Sequence, residues 1–319
     1  MTDPVSESTA EVAAAGQPAA AGITEAGQER HASLWSDAWG EMRRNPLFWF
    51  CLVLIAFFVV MAAFPTLFTR ADPGYCDLTM ARQGPSAEHF FGLDVQGCDV
   101  YARTVHGARA SILVGVTATL VTTLLGATIG TISAYFGGWL DTLLSRVGEI
   151  FFAIPILLGG IVILYSLPTP DKQPLLLQVL KVVMAIAVLG WPSLARIMRS
   201  SVLQVKPNEY VLAARALGAS PFRVIVSHIL PNSLAAIIVV ATINLGQYIA
   251  LEATLSFLGI GLRPPAYSWG QAISEASGLG YIVNTPHMLL FPSLFLSLTV
   301  LSFIMLGEVV RDALDPKLR

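Results

Sequence analysis

Six separated runs of apolar residues constrain this chain more than any other feature. They cover Leu47–Thr69, Ser111–Tyr135, Leu144–Leu167, Leu175–Ile197, Ser233–Phe257 and His287–Leu306. Each approaches the roughly 20 residues a helix needs to cross a bilayer. Lipid offers a peptide group no hydrogen-bond partner, so runs of this length are expected to span as helices that satisfy their own backbones. Composition agrees. The chain is 55% hydrophobic and 13% charged with mean hydropathy +0.67, whereas soluble domains carry about a quarter charged residues. The expected class is an all-α integral membrane protein with six transmembrane helices.

The segments between the runs set the domain organisation. Residues 1–32 are rich in Ala, Gly, Glu, Ser and Thr. They read as a disordered cytoplasmic tail without the charged and apolar regions of a signal peptide. Residues 33–46 suit an interfacial helix, with Trp35 and Trp39 four apart and Arg43 and Arg44 at its end. Residues 47–69 form the first span, 70–110 an external loop, 111–310 a five-helix core and 311–319 a polar cytoplasmic tail.

Placing the N-terminus inside puts twelve basic residues on the cytoplasmic side: Arg30, Arg43, Arg44, Arg146, Arg196, Arg199, Lys206, Arg215, Arg223, Arg311, Lys317 and Arg319. Six lie outside: Arg70, Arg82, Arg103, Arg109, Lys172 and Arg263. The excess favours both termini inside.

Between the fourth and fifth runs lies a polar, basic stretch from Lys206 to Asn232, with coupling helices expected at about 206–222. Asn208 can N-cap a short helix with Glu209 in its first turn. Tyr210, Ala213, Ala214 and Leu217 fall on one face. Gly218 can take the left-handed conformation that stops the helix. Ser220 and Pro221 supply a cap and a first-turn proline for a second helix running toward Leu230 and Pro231.

That stretch resembles the cytoplasmic coupling motif of bacterial ABC importer permeases. Ala213, Ala214, Gly218, Leu230 and Pro231 stand at the family's spacing, while Leu212 and His228 depart from its usual Glu and Ile. Four further blocks, in order along the chain, resemble the dipeptide/oligopeptide/nickel permeases. They are His89–Asp94 with Gly107–Gly115, Ser133–Trp139, Leu255–Gly261 with Ser268–Gly270, and Arg311–Pro316. The pattern is most similar to the second permease of dipeptide and oligopeptide systems.

The resemblance implies a type I ABC importer permease fold in a bacterial cytoplasmic (inner) membrane. It implies a heterodimer with a homologous second permease, two ATPase subunits or one fused ATPase, and an extracytoplasmic substrate-binding lipoprotein that delivers peptide. ATP and magnesium would be bound by the ATPases, and none by this chain, which has no Gly-x-x-x-x-Gly-Lys-Ser/Thr loop. The residues it assigns to ATPase coupling are Glu209, Tyr210, Ala213, Ala214, Arg215, Leu217, Gly218, Ala219, Leu230 and Pro231.

Several residues keep two readings. Cys76 and Cys98 share the external loop, where an oxidising compartment allows a disulfide, or remain free thiols. Cys51 sits in an apolar run and reads as packing. No His/Cys spacing suits a metal site, and no motif suits nucleic acid. Charges inside membrane runs usually face a cavity or a partner. Glu252 is therefore a candidate for the pathway or the permease interface, while Glu149, Lys181 and Glu308 lie near helix ends where water can reach them. Asn244, Gln247 and Tyr248 either meet passing peptide or bond a neighbouring helix.

A nickel or other small-solute permease of the same family is the alternative function. A proton-coupled secondary transporter using Glu149 or Glu252 is the alternative class. No internal duplication supports the latter, and no catalytic motif makes the chain an enzyme.

Overall fold

The computed structural model describes residues 34–168, 170 and 173–314. The expected tail 1–32, the end of the C-terminal tail and Lys172 lie outside the described residues, as does the Trp35 side chain. Within them the chain is helical, with two isolated β-bridges, Cys76–Cys98 and Leu93–Asp99.

A short helix α1 (Leu34–Met42) leads into α2 (Pro46–Ala63). The Asn45 side chain accepts from the Leu47 amide at 2.9 Å, and Pro46 occupies the first turn. The first span was expected to reach Thr69. It stops six residues short because Pro65 lacks an amide proton, and a short 3₁₀ turn (Pro65–Leu67) follows. The second span starts earlier than its apolar run. Asp99 accepts from the Ala102 amide at 2.8 Å, and α3 runs from Val100 to Phe136. The external loop is correspondingly shorter than 70–110.

The third run was expected to be one helix over 144–167. It forms two, α4 (Gly138–Phe152) and α5 (Ile156–Ser166), bent by 86° across Pro155. Its neighbour behaves differently. Helix α6 (Leu175–Val205) continues unbroken through Pro192, beyond the expected end at Ile197. Gly190, Trp191 and Pro192 are all buried there, and surrounding helices support a proline in a membrane helix.

After the polar 206–229 segment, α9 (Leu230–Phe257) is followed by the short helices α10 (Trp269–Glu275) and α11 (Leu279–Asn284), then α12 (His287–Leu314). Among the described residues five helices are long and apolar enough to cross, or six spans if α4 and α5 count as one.

Helices α3 and α6 form the spine of the fold. Their closest approach is lined by glycine: a Cβ at Gly126 would meet Leu194 and Ala195, and one at Gly130 would meet Ala195 and Met198. Small residues let membrane helices draw together where the hydrophobic effect cannot. One buried cluster (Val114, Ala118, Val182, Ile186, Leu255) fills one half, and a second (Ala134, Leu194, Met198, Val211, Val224, Ile229) fills the other end.

Candidate functional site

The coupling segment emerges between α6 and α9. Helix α7 (Glu209–Ala216) is short, and Gly218 stops it with φ +81°. Ser220 then accepts from the Arg223 amide, and Pro221 opens α8 (Pro221–Val224). A single π-helical stretch, Ile225–Ile229, joins α8 to α9, so the second short helix is the first turn of the fifth span. Asn208 holds the cap position of α7, but its side chain makes no capping bond; its Nδ2 donates to the Tyr210 hydroxyl at 3.3 Å instead.

The segment has a buried root and an exposed tip. Val211 is 0% exposed and packs with Val224, Ile229 and Met198, with Ala214, Ala219 and Leu230 beside them. At the tip, Leu217 is 89% and Phe222 77% exposed, with Tyr210 and Leu212 also outward. The face expected from Tyr210, Ala213, Ala214 and Leu217 is thus largely the outer one, and only Ala214 turns partly inward. Glu209 and Pro231 are exposed.

Two cations root the segment in the end of α3. The Lys206 ammonium donates to the carbonyls of Ala134 (3.0 Å) and Tyr135 (2.8 Å). These are among the last carbonyls of a helix, where positive charge is favoured. The Arg215 guanidinium lies 4.8 Å from the Tyr135 ring centroid. Nearby, Arg199 of α6 makes two hydrogen bonds (2.6 and 2.7 Å) to Asp141 of α4, which also accepts from Ser133 of α3. Forked pairing of this kind fixes orientation as well as charge. Helices α3, α4, α6 and α7 therefore meet at one corner. Sequence reasoning did not single out Tyr135, Val211 or Lys206 for it.

On the opposite side, Cys76 and Cys98 form a disulfide that closes the loop between α2 and α3. Asp77 in the same loop accepts from the Thr79 hydroxyl and amide, which hold its carboxyl below the usual carboxylate range. Arg103 pins the loop to α3 and α10 through Asp94 (2.6 Å), Glu275 (3.3 Å) and the Pro73 carbonyl. The Trp269 indole, 0% exposed, donates to the Thr104 carbonyl at 2.9 Å. Free Cys51 is buried.

The pathway candidates do not gather on one surface. Glu252 is 0% exposed and accepts from Ser256 at 2.7 Å, whose hydroxyl in turn accepts from the Leu262 amide at 2.9 Å; Ser111 and Ser268 flank it. In this structure it ties α9 to α3 and to the loop before α10. Tyr248 is 5% exposed, with its hydroxyl against Gly190 and Thr122. Its hydroxyl thus meets the neighbouring helices α3 and α6. Asn244 is half-buried and Gln247 exposed.

The other intramembrane charges find ordinary partners. Glu149 pairs with Arg146 at 2.8 Å and Glu308 with Arg311 at 3.6 Å, while Lys181 donates to Gln173 (2.9 Å) and the Pro168 carbonyl. Among the described residues no group of three His, Cys, Asp or Glu could hold a metal ion.

Known proteins are similar to this chain in sequence and in fold. The family model described as binding-protein-dependent transport system inner membrane component matches residues 126–319. A second, the N-terminal transmembrane domain of oligopeptide transport permease C, matches residues 33–85. The chain is 39% identical over 305 residues to the oligopeptide transport system permease protein OppC of Bacillus subtilis, covering 95% of this chain and 97% of that one. It is also 39% identical to the dipeptide transport system permease protein DppC of Alkalihalophilus pseudofirmus (90% and 91% covered). The glutathione transport system permease protein GsiD of Pectobacterium atrosepticum is 34% identical (89% and 92% covered). Among solved structures, an inward-facing MetNI methionine ABC transporter chain superposes with TM-score 0.51 at 19% identity, over 66% of this chain and 96% of that one. That last likeness concerns the fold.

Proposed function

The chain belongs to the family of binding-protein-dependent transport system inner membrane components, and from that membership we propose that it is one permease subunit of an ATP-driven importer of di- and oligopeptides. The observation that carries the coupling role is the division of the 206–232 segment into a buried root and an exposed apolar tip. Leu217 and Phe222 offer large apolar surface at a polar end of the bundle, as a site does when a protein partner covers it. Val211, Lys206 and Arg215 hold the segment against the bundle. A displacement at the tip then reaches the ends of α3 and α6 without being absorbed by a loop. Coupling of this kind needs two sites that bias one bistable element.

The remaining parts follow as one assembly. The bundle sits in a bacterial cytoplasmic membrane with both termini inside. A homologous second permease completes the pathway. Two ATPase subunits, or one fused ATPase, hold ATP and magnesium and cover the tip, and a substrate-binding lipoprotein docks outside. Oligopeptide, dipeptide and glutathione permeases among its relatives support a peptide substrate over nickel.

The test is uptake by proteoliposomes containing the purified complex and its binding protein. Labelled di- or oligopeptide should accumulate only with ATP inside the compartment that the tip faces, and excess nickel should not compete. Accumulation of nickel with no peptide uptake would overturn the substrate assignment. Uptake driven by a proton gradient without ATP would overturn the class.

A further inference from the structure

We propose that Tyr135 is the pivot through which the coupling segment turns the membrane bundle, an inference that rests on the permease reading above. Tyr135 lies at the end of α3, far from the coupling segment in sequence. The segment nonetheless reaches it twice. The Arg215 guanidinium stacks over the ring at 4.8 Å, and the Lys206 ammonium stands 5.9 Å from the same ring while binding the carbonyls of residues 134 and 135. Lys206 precedes α7 and Arg215 stands in its last turn, so residue 135 meets both ends of the lever, through its ring at Arg215 and chiefly through backbone carbonyls at Lys206.

The chemistry of the contact matters. Among the described residues neither cation has a carboxylate within 4.0 Å. The buried Nε of Arg215 has no hydrogen-bond partner. The aromatic face is thus the principal group holding Arg215, and a cation over a π-face is stabilised without a fixed hydrogen-bond direction. Such a contact can slide or tilt while remaining attractive, which a forked salt bridge cannot. The neighbouring Asp141–Arg199 pair is of the forked kind, 2.6 and 2.7 Å, and locks α4 to α6. One corner thus holds a fixed joint and a rotating joint side by side. The rotating joint is the one that carries α7.

The experiment uses the complete importer with its ATPases and binding protein in proteoliposomes, and reads peptide accumulated per ATP hydrolysed. Tyr135→Leu should lower that ratio about tenfold, since both cation–π contacts vanish with the ring. Tyr135→Phe keeps the ring and should restore the ratio to within about twofold of the unmodified complex. Arg215→Met, which keeps the length of the side chain without its charge, should reproduce the Leu defect, and the double variant should be no worse than either single one.

An unchanged ratio in Tyr135→Leu, or a Phe variant as damaged as the Leu variant, would overturn the pivot. If Tyr135→Leu does not assemble, the Phe and Arg215→Met complexes decide: a normal ratio in Arg215→Met overturns it. An unmodified complex that hydrolyses ATP without moving peptide would instead refute the permease reading itself.

Discussion

Leu217 and Val211 stand on the same eight-residue helix and its cap, yet one is 89% exposed and the other fully buried. Their substitutions should therefore fail differently. Leu217→Asp removes no packing, so the stability of the isolated permease pair should hold within roughly ±0.5 kcal/mol, as for a surface change, and its melting temperature should barely move. ATPase subunits should nonetheless wash off during purification. Val211→Ala should cost about 2 kcal/mol, from lost methyl burial and the cavity left behind, and should appear as a lowered melting temperature before any loss of partners. Gly218 adds a backbone case. A Cβ there would meet nothing within 4 Å, so only its φ of +81° resists substitution. Gly218→Val should impose about 1–2 kcal/mol of strain. Peptide uptake should collapse while the amount of protein in the membrane stays near normal; undiminished uptake would count against the rigid corner. At this scale the sequence showed the helix, the glycine and the second start, because caps and turns are local chemistry. It did not show Val211 as the root or Tyr135 as its seat. Contacts across some 70 residues leave no trace in helical periodicity. The surroundings of Glu252 were hidden for a related reason. A carboxylate in an apolar run suggests a pathway, but the serines that enclose it come from three separate segments.

At the scale of elements, every apolar run became helix, and the errors lie at ends and breaks. The α3 helix begins at Val100 rather than Ser111 because Asp99 caps it, and the charges of Arg103 and Arg109 had read as loop. Pro155 and Pro192 look alike in sequence but differ in outcome. The first separates α4 from α5 by 86°, while the second lies buried inside a continuous α6. Packing decides between them, and packing is not local. The α3–α6 contact supplies the matching prediction. Gly130 has no room for a side chain against Ala195 and Met198. Gly130→Leu should push the two helices apart at a cost of about 1–3 kcal/mol or more. Thermal melting of the detergent-solubilised complex should fall, whereas Gly137→Ala, at a position where a Cβ would meet nothing within 4 Å but φ is +66°, should show only the smaller backbone penalty.

For the whole molecule, two ends of unlike construction sit on one helical spine. One end is fastened by the Cys76–Cys98 disulfide, the Arg103 ion pairs and the buried Trp269. The other end gathers α3, α4, α6 and α7 at one corner and leaves an apolar tip uncovered. A chain built this way is suited to receive a push at one end and transmit it along the spine. The most direct measurement is affinity purification of this chain from its native membrane in mild detergent, with stoichiometry by mass spectrometry and ATP hydrolysis assayed on the product. The account predicts a second related permease and one or two phosphate-loop ATPases in fixed ratio, with hydrolysis that rises when the binding protein and peptide are added. Recovery of the chain alone or as a homodimer, with no ATPase at stoichiometric level, would contradict it.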